Sequence, residues 1–162
     1  MAALLAACGG FLVAVLWMDL MFDVQAYRLA GALGRERQPV SALAANDATV
    51  ASIAAYYKRV TTDASPMNRL IAAVMVVTLA GSAWRIWSAH DGRFGAVVAL
   101  ALAAMAVGLA GARVVPNAVR LGARVDEPTT QAELAYAIMR DHRRCFLLML
   151  AFTALQIRGA LP

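Results

Sequence analysis

Apolar residues gather into four blocks along this chain, with polar segments between them. The first runs over residues 3–24 and holds no charge before Asp19 and Asp23. The second covers 70–87, LIAAVMVVTLAGSAWRIW, with Arg85 near its end. The third covers 95–112, GAVVALALAAMAVGLAGA, and Arg113 closes it. The fourth, CFLLMLAFTALQI at 145–157, is short and needs a turn from each flank. A helix takes about 20 apolar residues to cross a bilayer core. The pattern therefore predicts an all-α integral membrane four-helix bundle. It forms one four-span domain over 1–162, with spans at about 3–24, 68–88, 94–115 and 143–160.

The flanking residues sharpen the helix ends. Ser65-Pro66 supplies a cap and a first-turn proline for the second span. Gly92 marks the turn between spans two and three. Thr130-Gln131-Ala132-Glu133 reads as a capping box, and neither Gly nor Pro interrupts from there to Ile157. The fourth span is thus predicted to end one long helix that starts outside the lipid. Between spans one and two, Val50, Ile53, Tyr57 and Val60 recur at three- and four-residue spacing after Asn46-Asp47. This predicts an extra cytoplasmic amphipathic helix that lies on the bilayer surface or caps the bundle, in preference to one that binds a partner. Ala104, Gly108 and Ala112 put small residues on one face of the third span, which permits close helix approach. Packing within the bundle is the first expectation for them, and a homo-oligomer the second.

Composition agrees with a membrane protein: 62% hydrophobic residues and a mean hydropathy of +0.65 exceed the usual range of soluble domains. The net charge of +5 does not point to nucleic acid, because the basic residues flank the apolar blocks instead of forming one basic face. Membrane lipid is the partner that this placement suits. Twelve lysines and arginines fall in the two long loops and three on the other side. By the positive-inside rule, both termini face outward and the long loops are cytoplasmic, in a bacterial inner membrane. Trp84 and Trp87 then fall at the outer interface. The first block lacks a basic residue before it and a cleavage site after it, so it reads as a span and not a signal peptide. Leu5-Ala6-Ala7-Cys8 is like a lipobox but lies too near the start. Cys8 and Cys145 make neither a disulfide framework nor a Cys-x-x-Cys pair.

The candidate chemistry lies where polar residues converge, at the cytoplasmic ends of the spans. Span one brings Asp19, Asp23 and Gln25; span two begins with Asn68 and Arg69; span three ends with Arg113, Pro116, Asn117 and Arg120. The helix entering span four carries Tyr136, Arg140, Asp141, His142, Arg143 and Arg144. Asp19 lies about 27 Å along its helix, near the inner edge of the hydrocarbon. Asp19 and Asp23 share a face and are expected to meet arginines from neighbouring helices. Asp19, Asp23, Arg69, Arg113, Asn117 and Arg120 are the ligand-binding candidates, and His142 is the candidate acid or base. In this reading Arg113 and Arg120 hold an anionic or phenolic oxygen, and the aspartates orient them. The plainer reading is a structural ion-pair network with both acids at the membrane interface. His90 reads as a solvated loop residue. No metal site is expected, because the histidines and the cysteines fall on opposite sides and no Glu-x-x-His or His-x-x-x-His spacing occurs. No cofactor is expected.

Val115-Pro116-Asn117-Ala118-Val119-Arg120-Leu121 after the third span, and Asp141-His142-Arg143-Arg144 entering the fourth, resemble motifs of the small four-helix anthrone oxygenase-like membrane proteins. The resemblance covers most of the chain and rests on these few residues. It implies a four-helix membrane fold and cofactor-free oxygenation of a polyphenolic anthrone. Two functions follow. One is an oxygenase-like or small-molecule-binding enzyme with a site for a small apolar or phenolic ligand. The other is a non-catalytic membrane assembly factor, or a subunit of a larger membrane complex, that docks through its loops. A transporter ranks last, because spans two and three offer just Thr78, Gly81, Ser82 and Gly108 at mid-depth and no charge there.

Overall fold

The computed structural model describes residues 1–27, 40–63, 65–88 and 93–160, with the side chains of 40–45 and 65 excepted. Six α-helices are seen among them: α1 (Ala2–Asp23), α2 (Val40–Lys58), α3 (Ser65–Ser88), α4 (Arg93–Leu109), α5 (Val115–Ala123) and α6 (Pro128–Arg158). Among the described residues there is no strand. Arg28, Arg35, Arg37, His90 and Gly92, which entered the orientation, loop and turn readings, lie outside the described residues.

α1, α3, α4 and α6 pack side by side in a ring, with α6 closing back onto α1. Three helices are long and apolar enough to cross a membrane: Ala2–Asp23, Pro66–Ser88 and Arg93–Ala123. Large apolar side chains such as Val76, Trp87, Phe94 and Leu147 point outward from the ring. In water these would be a liability; in lipid they are the expected solvent-facing surface. These features make the chain a membrane protein in class.

The third long helix is α4 and α5 joined. The sequence pattern ends this span near 115, yet the helix runs on to Ala123. The join is one wide π-turn, Ala110–Val114, in which the Val115 N–H bonds back to the Ala110 carbonyl. Pro116 accounts for it. Proline has no N–H for the helix ladder and its ring crowds the preceding carbonyls, and a single π-turn re-spaces them. α6 is one long helix, as predicted, but its start differs from the expectation. Pro128 occupies the first turn, and the cap position falls on Glu127, whose side chain makes no cap bond. The preset φ of proline nucleates the helix ahead of Thr130, so the capping box is not formed. Gln131 instead donates Nε2 to the Asp126 carbonyl at 2.5 Å.

Two apolar clusters hold the molecule together. Inside the ring, Leu5, Leu12, Ala99, Ala103, Ala106, Met149 and Phe152 interlock. At the end where α1 finishes, Val50, Ile53, Ala54 and Tyr57 of α2 are buried with Ala118 and Leu121 of α5 and Ile138 and Met139 of α6. The predicted amphipathic helix therefore caps the bundle. Its approach to α5 is close: a Cβ on Gly122 would lie 2.9 Å from the backbone nitrogen of Lys58. The expectation that Ala104, Gly108 and Ala112 pack within the bundle is corrected. The inward stripe is Ala96, Ala99, Ala103 and Ala106, continued by Ala110. Ala104, Gly108 and Ala112 face outward, because the large side chains of α1 and α6 fit against the alanine face.

Candidate functional site

On α1, the buried positions Leu5, Gly9, Leu12, Asp19 and Asp23 form one stripe at three-, four- and seven-residue spacing. The apolar stripe thus ends in two acids that point inward. Asp23 is fully buried. Its Oδ1 accepts a hydrogen bond from the Tyr57 hydroxyl at 2.5 Å, and its Oδ2 lies 2.6 Å from His142 Nδ1. One turn back, Asp19 Oδ1 accepts from the Tyr56 hydroxyl at 2.6 Å. Asp19 Oδ2 faces His142 Nε2 at 3.8 Å, too long for a hydrogen bond. Phe22 stacks on Tyr56 with ring centroids 4.1 Å apart, which steadies that phenol. Consecutive tyrosines on α2 thus serve acids on successive turns of α1, with His142 of α6 between them.

A buried carboxylate against Nδ1 fixes the Nδ1 proton there and leaves Nε2 for proton exchange. His142 and Asp19 border a cavity of about 340 Å³ between the helices. Its polar lining is Asp19, Tyr57, Thr61, Asn68 and His142, gathered where α2 caps the ring. The rest of the wall is apolar, including Leu12, Leu16, Met75, Ala106 and Met149. Ala72, Val115 and Val119 also line it and have exposed surface, so it opens sideways between α3 and the α4–α5 helix.

Burial, then the charges of Asp23 and Asp19, raise the Tyr57 hydroxyl well above its ordinary pKa of 10.0. Burial and the Asp19 hydrogen bond raise Tyr56 in the same sense. A raised value means that these phenols stabilise the fold fully below pH 10.0, and that this contribution is lost as pH climbs towards their folded values. Phenolate absorbance is therefore expected to show two of the four tyrosines resisting ionisation until the protein unfolds. Ionisation of all four in one step near the ordinary value would contradict this arrangement.

Of the residues singled out from sequence, Asp19, Asp23 and His142 come together. Arg69, Arg113, Asn117 and Arg120 do not join them, and none of the four lines the cavity. Arg69 is exposed at the start of α3, and Asn117 is half-buried on α5. Arg113 Nε lies 3.0 Å from Asp141 Oδ2, and Arg120 forks onto Asp126 at 2.7 and 2.6 Å. The expected aspartate–arginine pairing is thus replaced by phenols and an imidazole. The arginines find nearer acids outside the ring, while α5 turns Val114 and Ala118 inward. Both acids face into the bundle and not outward. The sequence pattern does not single out Tyr56, and it places Tyr57 on the apolar stripe of the amphipathic helix. The available signal was a pair of adjacent tyrosines on the helix expected to cap the end that carries the aspartates. Among the described residues, no three His, Cys, Asp or Glu side chains are grouped to hold a metal ion. The chain matches no family model, no curated protein and no solved structure.

Proposed function

We propose that this protein binds a small apolar ligand carrying a hydroxyl or phenol, with His142 as the proton-transferring group. The observation that carries this reading is the pairing of a lipid-compatible cavity with a polar end that has an exchangeable proton. A pocket of this size with few convergent polar groups is the usual form of a small-molecule site. His142 Nε2 and Asp19 Oδ2 stand too far apart to bond each other, and both are acceptors when the imidazole proton sits on Nδ1, so a ligand hydroxyl beside them can donate its proton to either. Asp23 holds the imidazole in orientation, the part a buried carboxylate plays beside a general base. A phenolic ligand is also what the resemblance to the anthrone oxygenase-like proteins implies, so the resemblance and the cavity support the same ligand class.

The same proposal places α6 as a fourth span. Its support is depth. His142 meets Asp23 while Phe152 and Thr153 lie against Gly9, so α6 runs antiparallel along most of α1. With the twelve-to-three distribution of basic charge, the polar end of the cavity then faces the cytoplasmic side.

The test is native mass spectrometry of protein extracted from its own membranes. Wild type is expected to carry one small apolar adduct. Ala110→Phe, which fills the cavity, and Asp19→Ala, which removes its polar end, are expected to lose it. Bare wild type that is fully folded would refute the proposal and favour a non-catalytic subunit.

A further inference from the structure

A second polar cluster lies outside the cavity, on the joint surface of the π-turn and α6. Asp141 is fully buried and draws three arginines. Arg144 Nη1 donates to Oδ1 at 2.9 Å, Arg113 Nε lies 3.0 Å from Oδ2, and Arg140 Nε lies 3.5 Å from Oδ1. Each arginine side chain keeps about half its surface exposed: 47% for Arg113, 42% for Arg140 and 54% for Arg144. One carboxylate neutralises one of three cations. Among the described residues the cluster therefore holds two positive charges in excess of its carboxylate, and several guanidinium N–H donors that Asp141 does not engage.

We infer that Arg113, Arg140 and Arg144, fanned around Asp141, bind the phosphate headgroup of an anionic phospholipid. Planar guanidinium forks suit phosphate oxygens, and an anion offsets the repulsion among the three cations. Depth favours lipid over a soluble anion. Arg113 lies twenty residues beyond Arg93 on one long helix, a rise of about 30 Å, which matches the thickness of the hydrocarbon layer. The cluster therefore sits at headgroup level if Arg93 marks the opposite face. Leu147, three residues beyond Arg144, is 60% exposed and continues the same face towards the lipid core. A headgroup on the arginines thus has apolar surface below it for its acyl chain.

The experiment titrates delipidated protein in detergent with phosphatidylglycerol, phosphatidylcholine or inorganic phosphate, and reads retained ligand by native mass spectrometry. Phosphatidylglycerol is expected to bind one to one where phosphatidylcholine does not, and inorganic phosphate is expected not to displace it. Arg113→Gln/Arg144→Gln should weaken it by tenfold or more, at about fivefold for each arginine near a lipid surface. Arg59→Gln, at an exposed position on another turn, should leave it unchanged. Arg113→Lys/Arg144→Lys keeps Asp141 neutralised and so guards against misfolding. It should still weaken binding several-fold, because lysine lacks the planar fork. Equal retention of both lipids, displacement by inorganic phosphate, an equal loss in Arg59→Gln, or unchanged binding in the lysine pair would each overturn the inference.

Discussion

Asp23→Ala is expected to lower the stability of this protein by about 3–5 kcal/mol, the usual cost of removing one partner from a buried charged pair. The carboxylate is fully buried and accepts from two helices at once, Tyr57 of α2 and His142 of α6. Its removal strands a phenol and an imidazole N–H in an apolar setting, and each such orphan costs about 1–3 kcal/mol. It also removes one of the two tyrosine hydrogen bonds that tie α2 to α1. Asp23→Asn keeps an acceptor for Tyr57 and is expected to lose less. Asp47→Ala, which breaks an exposed pair with Arg124, should lose far less again. Thermal unfolding in one detergent ranks the three. An Asp23→Ala protein as stable as Asp47→Ala would mean that Asp23 is not buried against these partners.

That hierarchy shows what the chain disclosed in advance. Three apolar runs of about 20 residues were legible as helices long enough to span a membrane, because such a run has few alternatives to a helix in lipid, and the uninterrupted stretch after Pro128 was legible as a fourth helix of the ring. The convergence of Asp19, Asp23 and His142 was also legible, since antiparallel helices bring their polar ends together. What each side chain touches was not. Whether Asp19 meets an arginine or a tyrosine depends on the rotation of α5 and the docking angle of α2. Those depend in turn on contacts such as Gly122 against Lys58 that no local pattern reports. The π-turn before Pro116 is a third case. Proline announces a disturbance, but whether the helix stops or widens is decided by packing. Here Ala110 and Val114 are buried on the inward face, and keeping them there favours continuation.

Gly9→Leu is expected to be the most damaging change within the apolar part of the ring, with a loss of about 3 kcal/mol or more, at the upper end of the range for overpacking. A Cβ at Gly9 would stand 2.4 Å from Thr153 Oγ1 and 3.0 Å from the Phe152 ring. Neither neighbour yields easily. The Thr153 hydroxyl is committed to the Met149 carbonyl at 2.7 Å, and Phe152 is fully buried in the ring cluster. α1 must therefore move away from α6, and the displacement propagates along α1 to Asp19 and Asp23. Gly10 provides the contrast. A Cβ there meets nothing within 4 Å, so Gly10→Leu faces outward and should be neutral or stabilising by up to ~1 kcal/mol through helix propensity. The clash also predicts a rescue. Gly9→Ala should be destabilising alone and largely restored by Thr153→Ala, which removes the nearest atom, so the two changes are expected to be strongly non-additive. Unfolding of these variants, with Thr153→Ala alone as the fifth, in one detergent decides the matter. Equal effects at the two glycines, or additive losses in the double variant, would place α1 in a different rotation against α6 and with it displace the aspartates from His142.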